Sequence, residues 1–365
     1  MLTFVVETLN LNTKQMKPYV LGIDIGGTNT VFGIVDARGV VIASDSIKTA
    51  KHSKIEDYID ELYTEASRLI KANDAEDKIH GIGIGAPNGN YYNGMIVDAP
   101  NLPWPSPIPL AQMVSSKFGI PVAVTNDANA AAIGEMTYGA ARGMKDFIMI
   151  TLGTGVGSGI VINGQVVYGH DGFAGELGHM IVKRNNGRLC GCGRTGCLEA
   201  YCSATGVARS AREFLEIRTE PSTLRNLPIE SITSKDVYDA AMNGDKLAKD
   251  VFEYTGTILG EAMADMNVFS SPEAFILFGG LAKSGELLLK PLREAMDRSM
   301  LNVFKGKAKV LLSELKDADA AVLGASALGW EAKPMAPVTP AAAPIVAAAP
   351  GAPGAPAAPA APIAE

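Results

Sequence analysis

Ile23-Asp24-Ile25-Gly26-Gly27-Thr28-Asn29-Thr30-Val31-Phe32-Gly33-Ile34-Val35 can be laid on Ile150-Thr151-Leu152-Gly153-Thr154-Gly155-Val156-Gly157-Ser158-Gly159-Ile160-Val161. Gly27 falls on Gly153 and Gly33 on Gly159 at one offset of 126 residues (153 − 27 and 159 − 33), and Gly-Thr and Gly-Ile-Val coincide in both copies. Each copy reads as an apolar strand, a glycine-rich turn and a second strand. A further turn, Asp36-Ala37-Arg38-Gly39 or Asn163-Gly164, then leads to a third strand over 40–44 or 165–168.

Outward from the first copy, an amphipathic helix is expected over 53–72, with buried strands over 80–85 and 121–125. Outward from the second, helices are expected over 204–215 and 233–269, the latter opened by a Thr/Ser cap, before the strand Ala274-Phe275-Ile276-Leu277-Phe278. The fold class is therefore α/β, with duplicated halves in two domains around a cleft and a glycine turn on each wall. The expected boundaries are 1–125, with a closing helix near 317–332, and 126–316. Residues 333–365 are Pro/Ala/Gly low complexity and are expected to form a disordered or polyproline-like tail.

At 365 residues the chain is long enough for two substantial cores, and 47% hydrophobic with 19% charged residues reads as globular and soluble. A net charge of -7 argues against a nucleic-acid partner. No basic region precedes an apolar run at the N-terminus, where Glu7 interrupts Phe4-Val5-Val6, so export is not expected. No stretch suits a membrane helix, since proline repeatedly breaks the uncharged run 335–364. A cytoplasmic location follows, and the clustered thiols agree with a reducing compartment.

Two glycine turns in register suit a phosphate clamp. Gly26, Gly27, Gly153 and Gly155 let backbone N–H groups approach without a Cβ in the way, while Thr28, Thr30 and Thr154 add hydroxyls. The first turn alone also reads as an ordinary hairpin, whereas the second is denser in glycine than a hairpin requires. Asp24, at a strand end, suits a hydrated magnesium ion beside a transferred phosphoryl group. Gly279-Gly280, after an apolar strand, suits a flat base lying against backbone. Asp127, in Thr125-Asn126-Asp127-Ala128-Asn129, falls at the carboxyl end of a strand, where ligands of open α/β sheets sit. Its carboxylate suits removal of a hydroxyl proton, although Asn126 or Asp127 would equally cap the following helix. The loops Ala86-Pro87-Asn88-Gly89-Asn90-Tyr91-Tyr92-Asn93-Gly94 and Asp98-Ala99-Pro100-Asn101-Leu102-Pro103-Trp104 carry amides and aromatics fit for a carbohydrate, or form a plain Pro/Gly surface loop.

His179, Cys190, Cys192 and Cys197 follow the spacing H-x10-C-x-C-x4-C within a glycine-rich loop, a donor set for a closed, structural zinc site. A redox pair, or small buried apolar side chains, is the other reading of the thiols. Only Cys202 stands outside the cluster, and His52, His80 and His170 have no partners at metal spacing. Glu176 and Glu199 flank the knot, so fixing the metal also fixes two carboxylates.

With these residues in place, roughly 19–331 resembles the ROK family of sugar kinases, most specifically through Glu176-Leu177-Gly178-His179 with Cys190-Gly191-Cys192-Gly193-Arg194-Thr195-Gly196-Cys197-Leu198-Glu199. The resemblance implies the actin-like ATPase (ribonuclease H-like) fold, with ATP, Mg2+ and structural Zn2+. It makes Asp127 the general base and gives Asn101, Asn126, Glu176, His179 and Glu199 sugar-binding roles. Asn88 enters that set because Pro87-Asn88-Gly89 departs from the Pro-Gly of many members, and its side chain is expected either to enter the pocket or to alter the loop. That departure weakens specificity taken by analogy, yet the loop sequences look most like the glucokinase branch, which implies transfer to the C6 hydroxyl of a hexose, glucose first. An N-acetylhexosamine kinase or a fructokinase is the enzyme alternative. The family's sugar-responsive repressors carry a helix-turn-helix domain ahead of the first turn, for which residues 1–19 are too short. A sugar-binding pseudo-kinase is disfavoured because Asp24, Asp127 and both turns are present. A homodimer or homotetramer is implied by the resemblance as well.

Overall fold

Val20, Leu21, Gly22 and Ile23 are buried in succession, the mark of a strand covered on both faces. In the computed structural model, which describes residues 17–315 and 317–334, they form β1 (Tyr19–Ile25). The first half continues with β2 (Asn29–Asp36), β3 (Val41–Lys48), α1 (Ile55–Ala72), β4 (Ile79–Gly85), α2 (Leu110–Phe118) and β5 (Val122–Thr125). Then come α3 (Asp127–Tyr138), β6 (Phe147–Leu152), β7 (Val156–Ile162), β8 (Gln165–Val166), α4 (Glu199–Cys202) and α5 (Ala204–Ile217). The chain closes with α6 (Ser234–Met242), α7 (Lys246–Ser270), β9 (Ala274–Phe278), α8 (Glu286–Ser299), β10 (Lys309–Leu312) and α9 (Asp317–Gly329).

The repeat is visible in the topology. One five-stranded sheet has the order β3-β2-β1-β4-β5 and the other β10-β9-β6-β7-β8, which is the same arrangement with β6 in the place of β1. In each, an antiparallel hairpin follows the first strand, which also pairs in parallel with the fourth.

Helices α3 and α9 pack against each other through glycine: a Cβ on Gly134 would lie 2.8 Å from the Cα of Gly324. On its other side α9 lies so close to the first sheet that Cβ atoms on Gly22 and Gly83 would overlap the carbonyls of Val322 and Ala325. Large apolar residues elsewhere fill one core around β1, β4 and α1 and another around β6, β9 and α7.

The expected helix over 233–269 is two helices. Gly244 takes φ +93 after α6, and the Asp245 carboxylate accepts the Ala248 N–H at 3.1 Å to start α7. Thr233 is the cap of α6, in a reciprocal box with Asp236. The tail expected over 333–365 lies, from residue 335 onward, outside the described residues, as do residues 1–16. Among the described residues no helix is long and apolar enough to cross a membrane.

Candidate active site

β5 ends at Thr125, and α3 begins two residues later, so Asp127 emerges at a strand's carboxyl end on a helix N-terminus. Asn126 is the cap: its Oδ1 accepts the N–H groups of Ala128 (2.8 Å) and Asn129 (3.2 Å). That leaves Asp127 free of the capping role. Its Oδ1 accepts the Ala128 N–H at 2.8 Å, its own backbone N–H also bonds the carboxylate, and no side chain among the described residues does so. Burial pushes its carboxyl above the usual carboxylate range against the pull of those two N–H groups. Asp24, at the end of β1, lines a cavity with Asp127. Burial, and secondarily the Asp127 charge, raise Asp24 to about 7.

The second glycine turn is bonded from behind. Gly153 accepts the Ala204 N–H at 2.8 Å, Thr154 accepts the Thr205 hydroxyl at 2.9 Å, and Gly155 accepts the Gly153 N–H at 3.0 Å. All three carbonyls are thus turned to protein, and the N–H groups of Thr154 and Gly155 keep no acceptor among the described residues. A Cβ on Gly153 would meet nothing within 4 Å, so this glycine faces open cleft. The first turn is closed in the same manner, by Gly26 N–H to Asn29 carbonyl at 3.0 Å and Thr49 N–H to Thr28 carbonyl at 3.0 Å. Gly27 is needed for a neighbour: its Cβ would sit 2.8 Å from the carbonyl of Asn101.

Asn101 is carried by a loop whose Trp104 is sunk into the first core, its ring tilted at 45° to that of Tyr58 with centroids 4.5 Å apart and its Nε1 donating to the His52 carbonyl at 3.1 Å. The loop is therefore an anchored one, with its amide left at the cleft. On the facing side, the Ser158 hydroxyl donates to the Gly175 carbonyl and accepts the Leu177 N–H at 3.0 Å, holding Glu176 between them. Burial, opposed by His179, raises the Glu176 carboxyl. Glu199 opens α4, and its Oε2 accepts the Val156 N–H at 3.0 Å.

The four expected metal ligands converge. Donor atoms of His179, Cys190, Cys192 and Cys197 all lie within 4.8 Å of one another. Cys192 and Cys197 sulfurs are 3.7 Å apart, and Cys190 sulfur is 3.8 Å from Nδ1 of His179. Tetrahedral zinc with Zn–S bonds of about 2.3 Å spaces its sulfurs by about 3.8 Å, so this set fits the ion. Nδ1 faces the thiols, which leaves the other ring nitrogen for the cleft.

One cleft of about 490 Å³ is lined by Asn88, Asn101, Asn126, Asp127, Gly153, Thr154, Gly155, Glu176, His179, Glu199 and Gly279, together with Thr151 and Phe278. Gly280 lines an adjoining cavity of about 350 Å³ with Ser234, Tyr238 and Leu281. One expectation changes, and one of two alternatives is resolved toward the loop. Thr30 is fully buried, and its hydroxyl pairs with Thr49 (2.9 Å) and the Tyr58 hydroxyl (2.8 Å), so it is a core residue with nothing to offer a phosphate. Asn88 lines the cleft, but its Nδ2 donates to the carbonyls of Val97 (3.0 Å) and Asp98 (2.7 Å), which makes it first a loop brace. Sequence reasoning passed over Ser158, Thr205 and Asn90. Ser203-Ala204-Thr205 at a helix start was a readable cap signal, but Thr205's partner, 51 residues away, was not.

The sequence model of the ROK family matches residues 20–332. The glucokinase of Halalkalibacterium halodurans is 36% identical over 86% of this chain and 95% of its own, and that of Thermotoga maritima is 34% identical over 86% and 97%. A Streptomyces griseus ROK family glucokinase, solved with glucose and AMPPNP, superposes with a TM-score of 0.71 at 33% identity, covering 86% of this chain and 99% of that one. The duplicated architecture is thus the actin-like ATPase fold that the family resemblance implies.

Proposed function

The chain belongs to the ROK family, and on that premise we propose that it is an ATP-dependent hexose kinase, phosphorylating glucose at its C6 hydroxyl. One observation carries the reading: the Asp127 carboxylate, bonded only to backbone N–H groups among the described residues, shares a cleft with the open N–H groups at Thr154 and Gly155 and with Asn101, Glu176, His179 and Glu199. A hydroxyl acceptor, a proton acceptor and a polyphosphate site therefore meet in one place. The glucose- and AMPPNP-bound relative supports the same pairing of ligands.

In this reading Asn101, Asn126, Glu176, His179 and Glu199 hold the sugar, with Asn88 bracing the loop that covers it. Hydroxyls donate to the carboxylates, while the Asn amide nitrogens donate to sugar oxygens. Asp127 removes the C6 proton as that oxygen bonds to the γ-phosphorus and the bridging oxygen leaves with ADP. Its burial above the normal carboxylate range makes it a better proton acceptor at neutral pH. The N–H groups of Thr154 and Gly155 hold phosphate oxygens, with Gly153 giving them open approach and Gly26, Gly27 and Thr28 on the opposite wall. Magnesium, for which Asp24 is the acidic residue in reach through water, would supply neutralisation of the phosphate charge. The adenosine lies along Gly279 and Gly280 into the cavity that Ser234 and Tyr238 line. Zinc at His179, Cys190, Cys192 and Cys197 would supply rigidity. Residues 1–125 with α9 and residues 126–316 act as the two domains, and the assembly is a homodimer or homotetramer.

A coupled ADP-release assay across glucose, mannose, fructose, N-acetylglucosamine and N-acetylmannosamine tests this. The highest kcat/KM is expected with glucose. Preference for an N-acetylated sugar or fructose moves the substrate, and no ADP release with any of them sinks the kinase.

A further inference from the structure

Three consecutive residues of the loop after β4 grip a single segment of the other half. Asn90, only 2% exposed, donates from Nδ2 to the Asp171 carbonyl at 2.6 Å. The Tyr91 ring stacks on Tyr168 at 4.0 Å and 4°, and the Tyr92 hydroxyl donates to the Gly169 carbonyl at 2.7 Å. Gly172, at φ +91, completes the fit, since a Cβ there would lie 2.5 Å from the Asn90 amide nitrogen. Asn90 is itself locked: its Oδ1 accepts the Tyr92 N–H at 3.0 Å, and its backbone N–H donates to the Met95 carbonyl at 2.8 Å.

The gripped segment, 168–172, runs four residues later into Glu176. From the far side Glu176 is held through Ser158, as described above. Its approach is held through Asp171, on a backbone that carries Gly169 at φ +74, Gly172 at φ +91 and Gly175 at φ +96 and is closed internally by the Ala174 N–H to the Tyr168 carbonyl at 3.1 Å and the Phe173 N–H to the Asp171 carboxylate at 3.3 Å. The bonds from Asn90 and Tyr92 tie that small unit to the other half, which a carboxylate needs if it is to sit within the tolerance that recognition demands.

We propose that Asn90 is a positioning residue for sugar recognition, setting the Glu176 carboxylate through the backbone of Asp171 and Gly172. The inference rests on the proposed hexose kinase activity. It adds that the half carrying Asn101 also controls where the other half's sugar-reading carboxylate stands. Sugar affinity and the approach of the two halves are thereby joined through one amide.

Asn90→Asp is the test, because it keeps the size and the Oδ1 that accepts from Tyr92 but sets an acceptor against the Asp171 carbonyl. KM for glucose should rise about tenfold or more, with KM for ATP and kcat changed by less than about twofold. Tyr92→Phe, which removes only the hydroxyl, should raise the same KM by a smaller factor and serves if Asn90→Asp does not fold. An unchanged glucose KM in the folded variant, or a fall in kcat with KM unchanged, overturns the assignment. Failure of the wild-type enzyme to phosphorylate any hexose overturns the underlying activity instead.

Discussion

Oε2 of Glu199 accepts the Val156 N–H at 3.0 Å, which fastens a carboxylate beside the cysteine cluster to the strand that leaves the second glycine turn. The contact is possible only because residue 155 is glycine: a Cβ there would overlap the same oxygen. The proposed sugar and nucleotide sides of the cleft therefore share one hydrogen bond.

Gly155→Ala must displace that carboxylate. Losing the bond should cost about 1 kcal/mol, read as a lower midpoint in urea unfolding. KM for glucose and KM for ATP should rise together. A change confined to the ATP constant would separate the two sides and refute the link.

Asp127→Asn removes the proton acceptor while leaving the N-cap, which Asn126 supplies. Turnover should fall by about 10²- to 10⁴-fold, whereas calorimetry should find glucose binding within a few-fold of wild type. Full activity in this variant would end its assignment as the base.

How much of this was readable beforehand differs by element. The duplication was readable because Gly-Thr recurs at a constant offset, and the sheet orders repeat it. The convergence of His179, Cys190, Cys192 and Cys197 was readable because all four fall within one short segment, where local spacing governs which side chains can meet. Thr30 was misread because strand alternation, not the turn, decides its direction, and a buried hydroxyl finds Thr49 and Tyr58 instead. Asn88 and Asn90 look alike in sequence, yet one braces its own loop and the other reaches 81 residues away. Helix α8 escaped notice because Pro291 interrupts its pattern, and β10 because four residues of mixed exposure leave no periodicity. α2 is nine residues long and starts directly after Pro109, with its own pattern too brief to stand out.

Asp24 and Asp127 should give the protein two opposed pH dependences. Asp24 is raised from 3.8 to about 7 when folded, so the neutral form is favoured by folding. Its contribution to stability is complete below the unfolded value of 3.8 and is lost as pH rises through about 7. Ligand-free wild type should lose stability across that window, and Asp24→Asn should flatten the trend. Activity should run the other way, since Asp127 must be ionised to take a proton and its own value is raised. The acid limb of kcat/KM should fall above the ordinary carboxylate range. A limb near pH 4 would contradict the burial of this carboxyl.

Cys192 is the exposed member of the metal set, so its replacement by Ser disturbs packing least and coordination most. His179 and Glu199 stand immediately on the cleft side of that set, with Cys190 sulfur 3.4 Å from Oε1 of Glu199. Loosening the knot should therefore move both sugar-facing groups. Metal analysis should find about one zinc per wild-type chain and less in Cys192→Ser. The variant should melt at a lower temperature and bind glucose more weakly, with the two losses appearing in the same preparation. Lower stability with unaltered glucose affinity would mean that the metal holds only the loop and leaves the recognition groups where they are.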